Sequence, residues 1–228
     1  MASSQPENPE PYAGLCVAYI YSSQYDDAIN TCKKSIDLKA STQAYINLGA
    51  IYWDLRDYPA AAHAFEQATI LNPRYYKPIG QLARAYSWIP EKRAEAPALY
   101  RKAIEIANEE LRINPRNADV NVMIARYYAM LGQRTEAISH LGTALNLRPK
   151  DAEYQLIAAV VYNQFAERNV ALDYLERAVT AGYSLRRIST ERELDNLGND
   201  PRFQISTNRN ASKEARNESK KTKEGNQN

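Results

Sequence analysis

The chain has 228 residues, with 29 Lys and Arg against 27 Asp and Glu, a formal net charge of +2, and 44% hydrophobic residues. So even a balance builds no strong positive field and argues against nucleic acid as a partner. No run of about 18 apolar residues suits a membrane span, and the opening MASSQPENPEP lacks the basic and apolar regions of a secretory signal, so a cytoplasmic location is expected.

Residues 1–8 are polar, contain Pro and are expected to be disordered. From Pro9 the chain reads as successive pairs of helices. Residues 9–40 form the first and least regular pair, with Cys16 and Cys32 in inward slots, one on each helix. A disulfide across the pair is compatible with that placement. The reading adopted is two small apolar thiols in a reducing compartment.

The pattern is fullest at 42–75. Tyr45, Leu48, Gly49 and Tyr52 share one face of a first helix, and Ala61, Phe65 and Ala68 share one face of a second, beyond a turn at Asp57. Pro73 closes the pair because Pro cannot continue a helix. Gly49, Ala61 and Ala68 are small where the two helices approach, and Tyr52 and Phe65 are large where space between pairs must be filled.

The same slots recur along the chain. The Tyr returns as Tyr19, Tyr52, Tyr86, Tyr128 and Tyr162, at steps of 33, 34, 42 and 34. The second-helix slots return as Ala28/Cys32/Ser35, Ala61/Phe65/Ala68, Ala96/Tyr100/Ala103, Ala137/Leu141/Ala144 and Ala171/Leu175/Ala178. With these residues the chain resembles the tetratricopeptide repeat family over roughly residues 9–182. The resemblance implies an all-α fold: a right-handed superhelical solenoid of five helix hairpins, at about 9–40, 42–75, 76–117, 118–151 and 152–182. A hairpin of this kind cannot bury its apolar face alone and needs neighbours.

The third repeat is longer. From Ala103 to Pro115 is 12 residues where the second and fourth repeats have five, and seven extra residues are two turns, so the second helix is expected to run from about Ala94 to Ile113. After Gly182, residues 183–205 are expected to form short capping helices, with Thr190 and Glu193 as a capping box and Asp200-Pro201 as a further helix start. Residues 206–228 are polar and expected to be disordered, and sequons stand at Asn210 and Asn217. The closing ALDYLERAVTAGYSLRRI, followed by ELDNLGNDPRFQ, is similar to arrays at the C-termini of bacterial signalling proteins, including Ser/Thr kinases and winged-helix regulators. No Gly-rich loop, HRD or DFG motif is present, so that likeness implies a non-catalytic part or a free-standing relative.

No catalytic, cofactor-binding or metal-binding set emerges. His63 and His140 fall on second helices of different repeats, on the outer, solvated side, and the eight glycines form no phosphate cradle. Binding is the function left, and the resemblance implies that first helices line a concave groove. The groove residues are Tyr21, Asn47, Trp53, Lys77, Arg84, Trp88, Met123, Arg126 and Met130, a set rich in the aromatic, Met and Arg side chains favoured at interfaces. Packing between adjacent first helices is the alternative for Trp53 and Trp88.

Arg84 and Arg126 hold matching slots, each four residues before Trp88 or Met130, which suits a peptide carrying a carboxylate. Neutralisation by Asp119, Glu153 or Asp54 is the alternative for these arginines. Tetratricopeptide co-chaperones that grip the heat-shock-protein C-terminal carboxylate are matched at Asn47 and Lys77 but not at Ala13, Val17 or Gln81, so that ligand is not expected. The expected function is a non-enzymatic protein- or peptide-binding scaffold without cofactor, the alternative being a spacer or self-assembly module.

Overall fold

The computed structural model describes residues 8–22 and 24–204. The expected disordered lead (apart from Asn8) and the tail with its sequons lie outside the described residues. Five helix pairs follow one another: α1 (Glu10–Tyr21) with α2 (Tyr25–Leu38), α3 (Thr42–Asp54) with α4 (Tyr58–Leu71), α5 (Tyr76–Tyr86) with α6 (Ala96–Ile113), α7 (Ala118–Met130) with α8 (Arg134–Leu147), and α9 (Ala152–Gln164) with α10 (Arg168–Thr180). A one-turn α11 (Leu185–Ile188) and a 3-10 segment (Arg192–Leu197) come after them. Among the described residues there is no strand. The chain divides into two compact units, residues up to Ile113 and residues from Asn114 onward.

The second-helix slots explain the pairing. Ala28, Ala61, Ala96, Ala137 and Ala171 are at most 3% exposed, and so are the fillers Cys32, Phe65, Tyr100, Leu141 and Leu175. In the second pair the Phe65 ring lies over Gly49, where an added Cβ would come within 2.6 Å of it. Only a residue without a side chain lets the ring settle there.

Local signals set the helix ends. Ser41, Asp57, Asn117 and Asp151 cap α3, α4, α7 and α9, their side chains accepting from backbone N–H groups of the first turn. The turn after a first helix needs one left-handed residue, supplied by Gly132 (φ 73°) in one pair and by Arg56 (61°) and Ala166 (59°) at the matching positions of two others. The long α6 begins at Ala96 rather than Ala94, because a 3-10 turn, Arg93–Glu95, precedes it and Pro97 sits in its first turn.

Three expectations need correction. Cys16 and Cys32 are joined as a disulfide, with Cα atoms 5.3 Å apart, rather than standing as two thiols. The N-cap expected at Thr190 falls on Glu191: the Thr190 hydroxyl donates to the Arg187 carbonyl, and the Glu193 carboxylate accepts from Arg126. His140 is half-buried rather than solvated. It stacks on Tyr128 at 5.7 Å, as Tyr174 stacks on Tyr162 one repeat later, so it fills an aromatic packing slot.

Candidate functional site

In the first unit, the first-helix residues meet in an aromatic stack. The Arg84 guanidinium, on α5, lies 3.7 Å from the ring centroid of Trp53, at the end of α3. Trp53 packs against Tyr58 at 5.1 Å, and Tyr58 against Trp88 at 6.2 Å. A cation over an indole face is attracted by the ring quadrupole, the more so when both are removed from water.

Both are removed from water here. Trp53 is 4% and Arg84 6% exposed, so the expectation that they stand open in a groove is corrected: they form the floor of the cluster. Trp88 keeps a partly exposed ring. The Trp53 indole nitrogen is buried and makes no hydrogen bond among the described residues. Of the other expected contacts in this unit, Tyr21 is 76% exposed, Asn47 is partly exposed and accepts from Gln43, and Lys77 is partly exposed.

In the second unit the arrangement differs. Arg126, on α7, is only 7% exposed. Its guanidinium donates to Glu191 at 2.7 Å and Glu193 at 3.2 Å. These two carboxylates, which the sequence did not mark as its partners, neutralise it. Asn163, on α9, donates to the Glu193 carbonyl at 2.7 Å and exchanges bonds with the Asn196 side chain. Leu194, Leu197 and Ile188 close the apolar core of α9 and α10, against which Met130 also packs, while Met123 packs on the core shared by α7, α8 and α9. Burial and the charge of Glu191 push the Tyr183 phenol above its ordinary range. Arg84 and Arg126 are therefore each engaged inside their own unit, and the expected open pair of arginines is not present.

Sequence reasoning missed Glu191 and Glu193 as partners of Arg126. The available signal was the alternation of acid and Leu in ERELDNL, which is richer in acid than a cap requires. It also missed the paired amide locks: Asn121 donates to the Pro115 carbonyl and Gln155, in the same slot one repeat on, to that of Pro149. Asn121 directs its second donor to Asn117, so its oxygen accepts from His140 Nδ1 at 2.8 Å and sets the neutral ring as the Nδ1–H tautomer. Among the described residues no group of three His, Cys, Asp or Glu side chains is placed to hold a metal ion, and no helix is long and apolar enough to cross a membrane.

Tandem helix hairpins with alternating small and large contact slots define a helical-repeat protein. Models of the tetratricopeptide repeat match residues 42–75 and 92–160, and the helix hairpins pack as in such a repeat array. Among solved structures the chain is similar to TTC0263, a thermophilic tetratricopeptide protein of Thermus thermophilus. That match has 21% identity and a TM-score of 0.60 over 82% of this chain and 99% of that one, a likeness of fold. Weaker similarities are to YrrB, described as having an unusual peptide-binding site (19% identity, TM-score 0.45, 80% of this chain and 90% of that one), and to MamA (18%, 0.44, 76% and 91%). No curated protein sequence matches the chain.

Proposed function

We propose that the chain is a non-catalytic scaffold whose first helices bind a protein or peptide segment. Tetratricopeptide repeats generally serve such binding, and the observation that supports it most here is the stack Arg84–Trp53–Tyr58–Trp88. It holds Trp88 as a partly exposed aromatic anchor backed by an already ordered cluster. An anchor ordered beforehand loses little conformational freedom on binding, and Trp is favoured at the centre of binding surfaces. Asn47, Lys77 and Tyr21 extend the surface in the first unit, and Lys77 favours a ligand with acidic groups. Met123 and Met130 are the adaptable apolar contacts of the second unit, Arg126 being taken by the chain's own carboxylates.

The likeness of the last hairpin to arrays of bacterial signalling proteins supports placing the scaffold beside a signalling domain in a cytoplasmic setting. Self-assembly is a second reading, favoured by α1, where Leu15, Val17 and Tyr21 are all exposed.

The test is selection of a random peptide library on the immobilised chain, followed by calorimetry of enriched peptides. Trp88→Ala should weaken them at least about tenfold, the scale of a hot-spot anchor, with the helical fold retained, and Lys77→Glu should weaken acidic peptides selectively. If no peptide is enriched, or the enriched peptides ignore both substitutions, the proposal fails.

A further inference from the structure

The face of α7 and α9 that carries Arg126 and Asn163 already holds a ligand, the chain's own residues 191–197. The contacts are those by which a protein holds a foreign peptide. A buried arginine takes two carboxylates, Glu191 and Glu193. An asparagine takes the main-chain carbonyl of Glu193 and the side-chain amide of Asn196. Leu194 and Leu197 enter an apolar site lined by Leu156 and Val160 of α9. Little regular structure holds the segment from within: it is a 3-10 stretch whose N-cap makes no side-chain hydrogen bond. It follows a one-turn helix and Gly182, which sits at φ 95°. Within the segment, Leu194 N–H donates to the Glu191 carbonyl and Arg192 pairs with Asp195, while Glu191, Glu193, Leu194 and Leu197 reach outward to α7 and α9.

We propose that this face is a binding site for an acidic Glu-x-Glu-Leu-x-x-Leu segment of a partner protein, and that residues 191–197 occupy it in its absence. The proposal rests on the peptide-binding reading above and names the ligand class for the second unit. Charge complementarity selects the ligand. Displacing the cap takes two carboxylates from Arg126, and its planar fork suits a ligand that returns two acceptors better than one that returns a single acceptor. Tethering sets the threshold: a segment on a short linker competes at an effective concentration in the millimolar range. A free peptide with the same contacts is therefore held off, and a partner with added contacts elsewhere on the array displaces the cap.

The experiment uses a fluorescein-labelled peptide of residues 189–200 and the full chain, read by anisotropy. In the double variant Glu191→Gln, Glu193→Gln the tethered segment keeps its shape and loses both charges, so the labelled peptide should bind at least tenfold tighter than to the wild type. A third substitution, Arg126→Gln, should abolish the gain. Equal binding to wild type and double variant, or a gain that survives Arg126→Gln, overturns the proposal. A second readout needs no variant. Unlabelled peptide at several millimolar should speed amide hydrogen exchange at residues 191–197 of the wild type while α9 and α10 stay protected, and unchanged exchange there overturns the proposal. Both readouts lie in the second unit, so they fail independently of the Trp88 and Lys77 test.

Discussion

Two glycines show how the meaning of one residue depends on what lies above it. Gly49 is covered by the Phe65 ring, and a Cβ there would meet three ring carbons within 2.8 Å. Gly142, inside α8, has nothing within 4 Å of an added Cβ. Gly49→Ala should therefore destabilise by about 1–3 kcal/mol through overpacking, while Gly142→Ala should stabilise by up to about 1 kcal/mol through helix propensity. Opposite shifts of the melting temperature would confirm the pair, and shifts of the same sign would contradict it. His140 gives a pH dependence. Burial lowers its pKa from 6.5, so as the pH falls the unfolded chain takes up the proton before the folded one. Its contribution to stability is intact above about 6.5 and falls away below. His140→Gln, which still donates to Asn121, should flatten the melting temperature between pH 7 and 5.5; an unchanged slope would assign the effect to other groups.

At the scale of elements, α1 stands apart. Cys16 is its only buried residue, and that residue is half of the disulfide to α2. A bridge closing a loop of about 15 residues stabilises by about 3 kcal/mol, which makes it a main attachment of this helix. In the variant Cys16→Ala, Cys32→Ala, amide exchange over residues 10–21 should rise towards unfolded rates while α3 and α4 stay protected. Protection of α1 equal to wild type would show that packing alone holds it. The elements were legible in the sequence where their cause is local. Slot sizes in the second helices reflect contacts inside one hairpin, and the long α6 follows from an insertion of two whole turns. The depth of Trp53, Arg84 and Arg126 was not legible in that way, because it depends on what arrives from elsewhere. The ion pair of Arg126 with Glu191 spans 65 positions, and no spacing rule marks a distant carboxylate as the partner of a given arginine.

For the molecule as a whole, the repeat period carried most of the information. The single irregular step, from Tyr86 to Tyr128, brackets the division between the two compact units at Ile113 and Asn114. Each unit has apolar clusters of its own: Cys16, Ala28, Leu48 and Ile51 in the first, and two groups centred on α7–α8 and α9–α10 in the second. In a repeat protein such nearest-neighbour contacts carry the stability. The closing contacts of Ile188, Leu194 and Leu197 on α9 and α10 also bear on growth. Hairpins extend an array by adding to a bare apolar end, as a monomer adds to a living polymer chain. Here that end carries its own terminator. While the cap is seated, the apolar face of α9 and α10 is covered, and a further hairpin has no bare surface there to add to.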